Sequence, residues 1–142
     1  MQDKKVWEEN QEKKKYLSGY KAAKKKEERI LEQIQELRTN AMFPALQYDD
    51  MPRGTNISDL SDYAAKLDEL IRELKQERLE AIKKYEKIYQ DIKCVEDERE
   101  QDVLTYRYLQ CMDWEAVCVA MGLSWKHTHR IHGNALKTLE MT

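Results

Sequence analysis

Trp125, Lys126, His127, His129 and Arg130 fall within six consecutive residues. All five donate hydrogen bonds, and two carry a fixed positive charge. A guanidinium can meet guanine O6 and N7 through two parallel bonds, and an imidazole can donate to N7, O6 or a phosphate oxygen. The Lys126 ammonium suits phosphate better than a base edge. The Trp125 indole can pack on a thymine methyl or a sugar, or can cover the start of a helix. From Gly122 to Leu139 there are three basic residues, all three His of the chain and no acid. The whole chain has a formal net charge of −2. A polyanion would therefore be drawn by a local patch, which suffices because salt confines such attraction to about 10 Å. His129 and His132 share a helical face, but no Cys or carboxylate nearby completes a metal-ligand set. Acidic residues elsewhere follow helical surface spacing. No nucleophile–base pair or phosphate-binding loop accompanies them. The expectation is a binding protein, not an enzyme, with no cofactor and no metal.

The elements that must position these residues are short. Asp113 is a suitable N-cap for a helix from Trp114 to Met121. Gly122 then supplies a left-handed turn. Ser124 caps a second helix that runs to about Leu139. A short helix, a three-residue turn and a longer helix make a helix-turn-helix. Cys118 is small enough for the helix crossing. Val117, Met121, Leu123 and Ile131 supply the shared core, with Thr128 a polar exception. Ala135, Leu136 and Leu139 continue the buried stripe toward a preceding helix with Val103, Leu104, Tyr106, Tyr108 and Leu109 as its apolar face. Trp114 seals the base. The residues of the first paragraph are what remains outside, and helices of this kind enter the major groove N-terminus first.

The rest of the chain reads as long helices. Among its 142 residues only four are Gly and two are Pro, and 37% are charged. One helix is expected over 6–38, with Tyr16, Tyr20, Ala23, Glu27, Ile30, Ile34 and Leu37 stepping by fours and threes. A second is expected over 58–95, capped by Ser58. Its seam runs through Leu60, Ala64, Leu67, Ile71, Leu74, Arg78, Ala81, Tyr85, Ile88, Ile92 and Val95, and Leu70, Ile82 and Tyr89 widen it. Such a pair folds back as an antiparallel hairpin. Arg78 in its seam needs a carboxylate partner, and Glu27 is a candidate. Lys13–Lys15 and Lys24–Lys26 flank the first seam, either as a solvated face or as phosphate contacts. The connecting segment holds Pro44, Pro52 and Gly54, with Met42, Phe43 and Leu46 expected to pack over the hairpin end. The seam fades at the charged stretch Glu96–Asp102. The expected division is thus a coiled-coil stalk over 1–96 and a three-helix domain over 97–142, all-α throughout. The wide seam suggests a homodimer or other self-association. Cys94, Cys111 and Cys118, an odd set without CxxC spacing, suit free thiols in a reducing cytoplasm. No apolar run approaches the ~20 residues of a membrane span, and the opening MQDKKVWEENQEKKK is too charged for a secretory signal.

The stretch VLTYRYLQCMDWEAVCVAMGLSWKHTHRIHGNALKTL resembles region 4 of sigma-70-type factors. It shares an aromatic-Arg first helix, the capped helix-turn-helix and the closing "I…AL..L" pattern. Together with DMPRGTNISDLSDYAAKLDEL, the whole is similar to an uncharacterised prophage-encoded family of Gram-positive bacteria, with the layout of ArpU- and RinA-type phage regulators. The resemblance implies that Trp125, Lys126, His127, His129 and Arg130 occupy DNA-contacting positions. Arg107 matches an Arg of the first region-4 helix, a phosphate contact, and Lys137 joins the same DNA-facing set. It also implies a bacterial cytoplasmic location, on the nucleoid when DNA is bound, and RNA polymerase as a partner. Nothing here resembles region 2, and His and Trp stand where the family has Arg and Glu, so the target need not be a −35 element. The reading is a transcriptional regulator bound to double-stranded DNA. A small-terminase-like packaging protein and a coiled-coil adapter without DNA are the alternatives. Three imidazoles beside phosphates would make affinity rise from about pH 8 to 6.

Overall fold

The computed structural model describes residues 2–42 and 57–141. The fold is all-α, a long antiparallel helical hairpin followed by a C-terminal three-helix arrangement that contains the helix-turn-helix. The helices are α1 (Gln2–Leu17), α2 (Gly19–Met42), α3 (Ile57–Lys93), α4 (Glu98–Leu104), α5 (Trp114–Met121) and α6 (Trp125–Thr138), with a π-helical turn over Thr105–Leu109. The first expected helix is therefore two, parted at Ser18 beside Gly19. A Ser-Gly pair is a common place for the helical ladder to give way. Among the described residues, no helix is long and apolar enough to cross a membrane. The expected packing of Met42, Phe43 and Leu46 lies outside the described side chains.

Two compact units divide the chain: residues 23–80, and residues 1–22 with 81–142. In the first, Ile34 is buried with Leu70 and Leu74, flanked by Ile30, Leu31, Leu37, Leu67 and Ile71. Glu27 lies seven residues before Ile34 and meets Arg78, beyond Leu74, so the two strands of the seam run antiparallel. Arg78 Nε donates to Glu27 Oε1 at 2.8 Å, and Lys24 Nζ donates to Oε2 at 3.2 Å. This is the partnership the seam required. Burial alone would raise the Glu27 pKa, but the bonds from Arg78 and Lys24 outweigh it and hold the carboxyl below its ordinary range. The seam differs in one respect. Leu70 lies deeper than Ile71, while Leu60 and Ala64 are exposed. A straight helix drifts against a strict seven-residue repeat, so a buried line slides from one neighbour to the next.

The second unit has one core. Leu17, from the end of α1, is fully buried with Ile88 and Ile92 of α3, Leu104 of α4 and Leu136 of α6. Each leucine removed from water here contributes about 1.5–3 kcal/mol. The heptad seam passes through Tyr16 and Tyr20 and misses Leu17, because Leu17 faces α6 as well as α3. Tyr16 donates to the buried Asp91 carboxylate. Lys13 Nζ donates to Leu136 O at 2.6 Å, which places a cation at the carbonyl end of α6. The charged stretch after α3 is a tight corner. Asp97 caps α4 by accepting from Glu100 N at 3.1 Å. Gln101 Nε2 reaches back to the carbonyls of Lys93 and Val95. Packing therefore does not part at residue 97, where the sequence pattern changes.

The π turn explains an irregular spacing. Val103 and Leu104 are buried, and so are Tyr108 and Leu109, five residues later. An α-helix would return to the core after three or four. Here Gln110 N donates to Thr105 O at 2.9 Å, the i→i+5 bond of a π turn. The extra residue returns Tyr108 and Leu109 to the core and leaves Tyr106 half-buried. Cys111, at φ 55, ends the run in left-handed backbone. A fragment of residues 97–142 alone would expose the Leu104–Leu136–Leu139 surface. It is expected to show no cooperative thermal transition by circular dichroism, whereas the full chain does. A sharp transition in the fragment would contradict the shared core.

Candidate nucleic-acid interface

The helix-turn-helix is built by backbone chemistry that the sequence announced. Asp113 accepts from Ala116 N at 2.8 Å and starts α5. Gly122 adopts φ 66, ψ 31, and its N–H and that of Leu123 return to the last carbonyls of α5. A side chain at that φ would be strained, which is why glycine ends the helix. Ser124 accepts from His127 N at 3.2 Å and opens α6. Val117, Thr128, Ile131, Ala135, Leu136 and Leu139 are buried, so one side of α6 is fixed against the core. Met121, Leu123 and Cys118 are half-buried at the crossing.

The opposite side of α6 is open. Lys126, Arg130 and Lys137 are exposed along it, and Trp125 keeps 55% of its surface. His127 is half-buried. No acidic residue occurs on α6. These five lie where a groove would meet the helix. The other two expected contacts do something else. The Arg107 guanidinium stands 4.8 Å from the Trp114 ring centroid, and its Nη1 donates to Met112 O at 2.9 Å. It is a cation–π partner and a turn clamp, and both roles draw it off the surface. His129 lies between two indoles, its ring centroid 4.2 Å from Trp114 and 4.4 Å from Trp125. Its Nε2 is buried and has no hydrogen-bond partner.

Trp114 is the centre of this stack, and its role exceeds the base seal expected of it. It touches Arg107, His129 and, edge-on at 4.6 Å, His132. Beneath it, Tyr108 Oη and His132 Nε2 share a hydrogen bond of 2.8 Å. The buried phenol is pushed up to about 12 by desolvation, with Arg107 opposing the rise. Burial pushes His132 down to about 3, and the charges of Lys14, His129 and Arg107 add to the fall. His129 is lowered for the same reasons: burial first, then Lys14 and Arg107. Two of the three imidazoles are therefore held neutral, because a proton there would be both buried and next to cations. A pH-dependent attraction for phosphate carried by all three His does not fit this arrangement; His127 is the one left to supply it.

Lys14 acts on both His rings, which places α1 along one edge of α6. The run Lys13–Lys15 signalled charge but not where it would sit. Only the fold brings it to the helix-turn-helix.

A family model, of a family described as a protein of unknown function, matches residues 43–140. No curated protein and no solved structure matches the chain.

Neutral His132 makes stability depend on pH. Its folded pKa lies below the ~6.5 of a free imidazole, so between the two values the unfolded chain binds the extra proton. Its stabilising effect is complete above the unfolded value and is lost progressively as pH falls toward the folded one. At pH 5 the loss relative to pH 7 should be about 2 kcal/mol from this group alone. Urea denaturation of the wild type and of His132→Gln at both pH values checks it: the variant should lose less on acidification. Equal losses in the two proteins would show that His132 is not buried neutral.

Proposed function

This chain belongs to the DUF1492 family, described as a protein of unknown function, and we propose that it is a non-enzymatic transcriptional regulator that reads double-stranded DNA with α6. One observation carries the reading. A helix-turn-helix displays Lys126, Arg130 and Lys137 on a face without an acid, while its other face is locked into a core. Phosphate attraction supplies affinity to such a face, and the guanidinium supplies discrimination among base pairs. Trp125 and His127 stand at the first turn, the part of a reading helix that goes deepest. The resemblance to sigma-70 region 4 places the target in promoter DNA, RNA polymerase among the partners, and the protein among phage or prophage regulators of the bacterial cytoplasm.

The reading is tested by selecting bound duplexes from a random-sequence DNA pool at low salt. Arg130→Ala should then weaken binding to the selected duplex by about 1–3 kcal/mol while changing random DNA little. Lys137→Ala should weaken both alike and reduce the salt slope by about 1. If the wild type shifts no duplex at low salt, an adapter role replaces this one. Assembly into rings in solution would instead favour DNA packaging.

Self-association is part of the proposal. Ile82, Tyr85 and Tyr89 are exposed on one side of α3, and the two tyrosines stack with centroids 6.3 Å apart. A second copy would cover this apolar stripe, and a dimer would present two reading helices. Light scattering should give twice the chain mass for the wild type and the single mass for Ile82→Lys/Tyr89→Lys. An unchanged mass in the variant would mean that this stripe does not hold the copies together.

A further inference from the structure

Gly133 stands in the middle of α6, and nothing inside the protein accounts for it. A glycine in a helix interior weakens the helix relative to alanine. Such a residue is usually explained by a left-handed backbone or by a neighbour that leaves no room for a Cβ. Gly133 has neither reason. It is not among the residues at positive φ, and a Cβ built there would meet no atom within 4 Å. Its position on the helix is informative. His129 and Arg130 lie one turn before it, and Leu136 and Lys137 one turn after. It is thus flanked by the two cations of the open face, on a helix without an acid.

We infer that Gly133 is the point of closest approach between α6 and a DNA sugar-phosphate strand. This rests on the DNA reading above and adds to it a contact that sets how deeply the helix sits. Bare backbone at one position lets a strand pass nearer the helix axis than any side chain would permit. Arg130 and Lys137, on either side, then reach phosphates of that strand at short range. Charge complementarity selects a polyanion as the occupant: Lys126, Arg130 and Lys137 are exposed on this side, and α1 adds Lys13 and Lys14 along the adjoining edge, where Lys13 holds Leu136 O at 2.6 Å. An acidic protein surface is the competing occupant. It would tolerate one methyl group by shifting a side chain, whereas a duplex backbone, fixed by its own helical geometry, would have to withdraw along the whole face.

The test uses the full-length chain with Gly133→Ala and Gly133→Leu, measured against random-sequence duplex DNA and against the duplex enriched from it. Gly133→Ala should raise the melting temperature by roughly 2–4 °C, since the helix gains and nothing clashes. The same substitution should weaken binding to both DNAs by about five-fold or more, and leucine should weaken it further, because a strand held closer than a Cβ allows must move out. Greater stability joined to weaker binding is the signature expected. Wild-type affinity in both variants would overturn the close approach while leaving the DNA reading intact. A lower melting temperature for Gly133→Ala would overturn it too, by showing that the fold itself needs the glycine. If the unaltered chain binds neither DNA, the failure belongs to the DNA reading, and this inference falls with it.

Discussion

Leu17, Ile88, Leu104 and Leu136 lose essentially all contact with water in one another's company, and the open face of α6 exists because they do. A helix of 14 residues is marginal in isolation. Here its orientation is set by side chains from the end of α1, the end of α3 and the end of α4, far apart in the chain. With Leu136 and Leu139 directed inward, the 3.6-residue period leaves Lys126, Arg130 and Lys137 no other direction than outward. The display of charge is thus a consequence of burial on the far side. It requires no attraction of its own, and like charges on one face are tolerated because water and salt screen them.

A second layer sits between that core and the surface. It is polar and aromatic: Tyr108 with His132, then Trp114 with His129 and Arg107, then Trp125 at the rim. Polarity increases outward, and each group is matched to its depth. The deepest imidazole is kept uncharged by burial and answered by a phenol. The guanidinium, which cannot lose its proton, finds a carbonyl and an indole face. This gradient fixes the first two turns of α6 more firmly than apolar contacts alone would, because aromatic edges and hydrogen bonds have preferred directions. Trp125 and His127 therefore stand on a braced platform.

Much of this was legible in the sequence, and the reason is local. Asp113, Gly122 and Ser124 each act on backbone groups within a few residues, so their meaning survives without any knowledge of the fold. Arg78 and Glu27 were legible because two periodic seams, aligned end to end, bring them level. What the sequence concealed depends on distant neighbours. Leu17 lies one residue off its seam and owes its burial to α6. Arg107 and His129 have the chemistry of phosphate contacts, and the indole of Trp114 claims both. The division at residue 97 followed a change in composition, whereas packing ignores composition and joins α1, α3 and α6 in one core. Gly133 carries no signal in one dimension, since only space around a missing Cβ tells a needed glycine from an idle one.

The π turn over Thr105–Leu109 holds one residue more than an α-helix would. Removing any single residue there would let the segment relax into ordinary helix and turn everything downstream by about 100°. Tyr108 and Leu109 would exchange places with their neighbours, and the reading helix would lose its footing although none of its own residues had changed. The segment works as a phase setting: its length, more than its composition, decides which side of the C-terminal helices looks inward. Substitutions across these five positions preserve that setting, and a deletion does not.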